Sequence, residues 1–292
     1  MRICSLLPSA TEIVGRLGLA DSLVGVSAEC NWPPEVSGLP VVTSARIDTE
    51  ALTSGEIDVA VRATIADGRP LYAIDADLLD ELRPDVVVTQ DLCAVCAVSS
   101  GDVATLSPTT ARVISLDPGT LEEIAQSVEL LGRELGASER GRAVAAEFRV
   151  TIQAVRKRTE RLRRTRVFVA EWLDPPFAAG HWVPEMVAAA GGQEVLGRAG
   201  QPSFTTTWED VREAEPELIV VAPCGFDVER GARESATLEL PADAIAVDAD
   251  AYYSRPAPSV ADGVRQLAFL LHPAAVADPG LPRIELQRSG VR

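Results

Sequence analysis

The 292-residue chain is 47% hydrophobic and 24% charged, enough apolar material for one large or two medium globular cores. A formal net charge of −16 repels phosphate backbones and argues against a nucleic-acid partner. No run of about 18 apolar residues occurs, so no helix is expected to span a membrane.

The chain opens MRICSLLPSATEIV, a strand-like run leading straight into a helix start. ICSLL is too short for the apolar part of a secretion leader, and Pro8 interrupts it. The chain as given is therefore expected in the cytoplasm, or in the periplasm or at the cell surface if a leader has been removed. Five cysteines, an odd number in a long chain, do not suit a secreted disulfide framework.

β-Branched and apolar runs predict strands at 2–6, 23–27, 86–90, 112–116, 167–171, 218–222 and 244–248. Helical stretches are predicted at 10–18, 121–135 and 183–190. Such alternation implies parallel βαβ units and an α/β fold. Part of the pattern occurs twice. LRPDVVVTQDLC (82–93) resembles AEPELIVVAPCG (214–225), and Pro84 and Pro216 stand 132 positions apart. RVISLDPGT (112–120) resembles AIAVDADAY (244–252) at the same spacing.

Two similar α/β lobes account for this repeat better than one large sheet. The expected organisation is an N-terminal lobe at 1–136, a connecting helix at 137–165 and a C-terminal lobe at 166–292. Val144, Phe148, Ile152 and Val155 recur at helical spacing along the connector. About 25 helical residues would make a spine nearly 40 Å long. Seven basic residues between Arg156 and Arg166 form either a docking surface or, the favoured reading, a solvated face suited to a helix C-terminus.

Ligands of open α/β sheets bind beyond the carboxyl ends of the strands, and two lobes facing each other would make a cleft. The chain is only 4% aromatic, yet Trp32, Trp172, Phe177, Trp182, Phe226, Tyr252 and Tyr253 all fall in strand-end segments, with Phe204 and Trp208 in a neighbouring loop. Flat rings in exposed loops suggest a surface kept for a planar ligand; the alternative is that proline-rich loops need aromatic plugs.

SLLPSATEIV (5–14), LRPDVVV (82–88), VFVAEWLDPPF (167–177), TTTWEDV (205–211) and YYSRPAPSV (252–260) together resemble the class III substrate-binding proteins of ABC importers, which carry cobalamin, haem and iron siderophores. The likeness runs from Arg2 to about His272 and is greatest to cobalamin-binding members. It implies two Rossmann-like α/β lobes, one long connecting helix, an interlobe ligand cleft and little hinge motion. It also implies a small-molecule ligand, with a corrinoid leading, and an ABC permease as partner. Trp172 and Trp208 match corrin-contacting aromatic positions, Ser9 and Ala10 match a ligand-facing first loop, and Tyr253 and Arg255 fall in the last motif. Glu29 and Gln90 stand where the family carries aromatics. Glu50 and Glu213 correspond loosely to permease-docking acids. Residues 44–80 exceed what the compact members have.

No catalytic template fits: GxSxG, a Walker loop, HExxH and a helix-opening GxGxxG are all missing from the sequence. His272 ends an apolar helix and reads as structural. His181, in AGHW, reads equally as a hydrogen-bonding loop residue or as a ligand to a metal centre. Cys93 and Cys96 follow the 86–90 strand, and Cys224 occupies the repeat-equivalent loop. One CxxC pair is too few for a closed zinc knuckle, and VCAVSSGDV is a poor helix for an activated dithiol. These cysteines and His181 could still accept a soft metal. The expected function is a non-catalytic, monomeric small-molecule binding protein. The alternatives are a metal-, haem- or siderophore-binding protein and a metal-dependent enzyme using the Cys and His residues.

Overall fold

A computed structural model describes residues 1–91, 101, 103 and 110–286. The chain divides into two compact units. The first comprises Met1–Leu52, Val59–Pro118 and Glu123–Ala146; the second comprises Thr53–Asp58, Gly119–Glu122 and Glu147–Arg292. Two short excursions, 53–58 and 119–122, thus belong with the C-terminal unit, which no simple cut of the sequence anticipates.

The first unit is built from β1 (Ile3–Ser5), α1 (Pro8–Arg16), β2 (Leu23–Val26), β3 (Thr43–Ala45), α2 (Ser54–Ala66), β4 (Tyr72–Ile74), α3 (Ala76–Leu82), β5 (Val86–Thr89), β6 (Arg112–Ser115) and α4 (Leu121–Glu134). The first turn of α2 and the first residues of α4 are the exceptions, being part of the second unit. Strands β2-β1-β5-β6 form a parallel sheet, and β3 pairs with β4 antiparallel. β5 reads VVVT because all four of its residues are buried, the continuous apolar run of a strand covered on both faces. α1 begins at Pro8, two residues before the expected start; proline there lacks only an N–H that the helix does not use.

Helix α5 (Ser138–Thr159) continues the chain from the first unit into the second. It is six residues shorter than the predicted 165 end point. The basic tail explains the difference, because its side chains are drawn to carbonyls and acids of the second unit. Arg158 donates to Ala275 O, Arg164 to Gly192 O and Arg163 to Glu217.

The second unit adds β7 (Thr165–Leu173), β8 (Pro176–Ala178), α6 (Val183–Ala189), β9 (Gly192–Glu194), β10 (Phe204–Thr205), α7 (Trp208–Glu213), β11 (Leu218–Val221), α8 (Val228–Ser235), β12 (Asp243–Val247), α9 (Ala249–Tyr252), α10 (Val260–Leu271) and β13 (Arg283–Leu286). Its sheet runs β10-β8-β7-β11-β12-β13, with β9 also on β7. β9-β7-β11-β12 are parallel, but β8 pairs antiparallel with both β7 and β10, and β13 with β12, so this sheet is mixed rather than purely βαβ. Its core centres on Phe168, Ala170, Ile219, Val221 and Ala246.

The sequence repeat has a physical counterpart. Arg83 and Glu215, each just before a proline, both take left-handed backbone (φ 43° and 46°). Arg2 opens β1: its N–H donates to Asp85 at 2.6 Å, its O accepts from Asp85 N, and its Nε donates to Leu82 O at 2.9 Å. Arg166, at the start of β7, does the same. Its N–H donates to Glu217 at 2.9 Å, its O accepts from Glu217 N, and its guanidinium reaches Ala214 O and Glu215 O. One arginine clamp therefore ties a helix end to a strand start in each unit. It satisfies helix-terminal carbonyls that would otherwise lack partners.

Candidate ligand-binding loops at the strand carboxyl ends

In the first unit Ser5 ends β1, and Ser27 and Gln90 directly follow β2 and β5. Thr11 donates to Ser5 Oγ at 2.8 Å, and Cys30 Sγ lies 2.9 Å from Thr11 Oγ1 and 3.2 Å from Ser27 Oγ. This polar knot holds the 27–30 loop against α1. Ser9 and Ala10, expected to face a ligand, are buried in the first turn of α1, and Gln90 is also buried. Glu29 is exposed. Trp32 is half-buried under the Arg16 guanidinium, 5.0 Å from its ring, and packs beside Gly15. Arg16 also pairs with the buried Glu12. Glu50 is exposed.

In the second unit β7 ends at Leu173, and after a cis Asp174–Pro175 bond β8 pairs back along it with Phe177 opposite Trp172. The Trp172 ring is half-exposed and tilts at 59° against Phe226, with centroids 5.2 Å apart. Phe226 is buried, and the Arg230 guanidinium lies 4.0 Å over its ring. Trp172 Nε1 donates to Ser54 O at 3.1 Å. Cys224 is exposed in the next loop, where its N–H donates to Glu171 O.

The neighbouring 180–182 segment is tightly constrained. A Cβ on Gly180 would lie 2.2 Å from Ser203 N, so only glycine fits. His181 has φ 48°, and its N–H donates to Gln201 O at 2.6 Å. Its half-exposed ring stands 5.7 Å from that of Trp182, and desolvation lowers its pKa below the ordinary imidazole value. The ring is therefore neutral at pH 7, the form that binds metals.

Several expected ligand aromatics are interior. Trp182 is 6% exposed and donates Nε1–H to Tyr253 O at 2.8 Å. Tyr253 is 1% exposed and donates its hydroxyl to Gln266 at 2.9 Å. Burial, then the nearby Asp248, pushes the phenol pKa far up. Arg255 is buried and paired with Asp250 at 3.0 Å. Trp208 is half-buried, edge-on to the core residue Phe168 at 6.1 Å. Trp182, Phe226 and Tyr253 are therefore buried, whereas Trp172, like Trp32, Phe177, Trp208 and Tyr252, is only partly buried. Phe177 is half-buried on β8, and Glu213 is exposed.

Cys93 and Cys96 lie outside the described residues. Among the described residues no three His, Cys, Asp or Glu side chains are grouped to hold a metal, so the metal set expected with His181 and Cys224 gains no support. Sequence reasoning missed Ser54 and Glu234, which hold Trp172 and the turn beside it. The signal for that turn was the capping pattern Thr53-x-x-Glu56, whose side chains exchange bonds with each other's backbone N–H.

Both units are α/β, and part-exposed aromatic side chains stand at or beyond the carboxyl ends of their strands. The periplasmic binding protein family model matches residues 3–241, and the chain belongs to that family of non-enzymatic substrate-binding proteins. The metal-dependent enzyme considered from the sequence is thereby set aside. The chain is 24% identical over 275 residues to the vitamin B12-binding protein of Vibrio cholerae, covering 92% of this chain and 88% of that one. Another vitamin B12-binding relative, from Yersinia pestis, is 24% identical over 227 residues, covering 76% of this chain and 69% of that one. Among solved structures, the vitamin B12-binding protein of V. cholerae aligns with a TM-score of 0.67 at 24% identity, over 94% of this chain and 97% of that one. A periplasmic haem-binding protein from Pseudomonas aeruginosa aligns at 0.73 and 18% identity, over 99% of both chains. Among the described residues no helix is long and apolar enough to cross a membrane.

Proposed function

We propose that this protein captures a corrinoid, with Trp172 as the main stacking surface, and hands it to an ABC importer permease. The observation that carries this reading is the half-exposed Trp172 ring, backed by Phe226 at the end of β7. A planar face held in place stacks on a macrocycle without ordering itself first, which keeps the entropic cost of binding low. The vitamin B12-binding relatives support the ligand class. Permease docking rests on the family alone.

A haem ligand is the second reading. Haem-binding neighbours and the neutral, half-exposed His181 favour it. Calorimetry with cyanocobalamin, cobinamide and haem separates the two. A corrinoid should bind at micromolar affinity or tighter, and Trp172→Ala should weaken it about three- to tenfold. Haem binding with a Soret shift lost in His181→Ala would favour the second reading. Silence with all three ligands would reject both.

A further inference from the structure

We infer that the first turn of α2 is a positioning device for Trp172, with Ser54 and Glu234 as its working residues. The inference rests on the proposed role of Trp172 as the ligand's stacking surface. Residues 53–58 belong to the second unit although the rest of α2 belongs to the first.

The seat of this turn has three parts. Ser54 is buried, its N–H donates to Glu234 Oε2 at 3.0 Å, and its carbonyl accepts the Trp172 indole N–H at 3.1 Å. Gly55 packs on the turn after β7, where a Cβ would lie 2.6 Å from Asp174 Oδ2. Ile57 is buried. Thr53 and Glu56 close the helix start with a reciprocal cap, and those bonds hold the Glu56 carboxyl below its usual range.

Glu234 therefore holds Ser54, and Ser54 holds the indole. The carboxylate is thus linked to the indole through the Ser54 peptide. An indole with its N–H committed has one favoured orientation about its side-chain torsions, and its exposed face is presented ready-made. Releasing the turn would leave the same ring in place but free to rotate, and binding would then have to order it.

The test uses the full chain labelled with ¹⁵N-tryptophan. Its four indole N–H resonances are assigned by single Trp→Phe variants. Glu234→Ala removes the acceptor for Ser54 N–H, and Glu234→Gln keeps an oxygen there. The alanine variant should shift or broaden the Trp172 indole resonance and lower corrinoid affinity about fivefold, the scale of one lost hydrogen bond. The glutamine variant should restore both. In a Trp172→Phe background, which has no indole N–H to position, Glu234→Ala should cause no further loss. An unchanged Trp172 resonance in Glu234→Ala, or a full fivefold loss when Glu234→Ala is added to Trp172→Phe, overturns the inference. If Trp172→Ala itself leaves affinity unchanged, the stacking role fails separately. The resonance still reports, without ligand, whether Glu234 positions the ring.

Discussion

Replacing Trp182 by phenylalanine distinguishes an interior indole from one offered to a ligand. Its N–H is committed to Tyr253 O at 2.8 Å, and the ring is 6% exposed. Phenylalanine keeps most of the apolar contact but orphans a buried carbonyl, which costs about 1–3 kcal/mol. The missing part of the ring leaves a small cavity, adding on the order of 1 kcal/mol. The expected loss of stability is therefore about 2–4 kcal/mol, with alanine worse. Urea unfolding of the full chain, followed by both circular dichroism and tryptophan fluorescence, measures it. The two probes also show whether the two units unfold together. Ligand affinity of the folded variant should stay within about twofold of the parent. An unchanged urea midpoint together with a tenfold drop in affinity would refute the interior assignment and return Trp182 to the ligand surface.

Glu194 accepts from the N–H groups of Val169, Leu196 and Gly197, and burial raises its pKa to about 7. Its proton is held more tightly folded than unfolded, so the stability it contributes is complete below the ordinary carboxyl range and is lost as pH rises through about 7. Glu194→Gln should gain stability relative to the parent between pH 5 and pH 8; urea midpoints at the two pH values that move in parallel would contradict this. Trp208→Ala should cost about 2 kcal/mol of stability through its lost edge-on contact with Phe168, read as a lower urea midpoint. Cys224 is exposed, whereas burial pushes the Cys4 thiol up to about 12. Brief alkylation at pH 8, mapped by peptide mass, should modify Cys224 and spare Cys4 until the protein is unfolded.

Strands such as Val86–Thr89 and Leu218–Val221 were legible because parallel strands buried on both faces leave uninterrupted β-branched runs. β10 and β8 are two and three residues long, and nothing so short carries a period. Helix α2 hid for another reason. Ile57, Val59 and Val61 alternate as in a strand, and Val59 and Ile65 point outward, 68% and 49% exposed. At the candidate site the location of the aromatics in strand-end loops was readable, but not which way each ring turned. Trp172 stands at the end of β7 and Trp182 shortly after it, yet one is part-exposed and the other buried. That choice is made by distant partners, Ser54 for one and Tyr253 for the other.

The bond from Ser54 N–H to Glu234 joins residues 180 positions apart. On a ribosome adding about 5–20 residues per second, on the order of ten seconds or more separates their synthesis. Until then the turn that holds Trp172 has no carboxylate to receive it, so the C-terminal unit is finished with a piece made long before the rest of it. A gene cut at residue 146 would produce a C-terminal fragment without 53–58 and 119–122. Supplying a short peptide spanning Thr53–Asp58 in trans would be the way to ask whether that fragment regains a fixed indole.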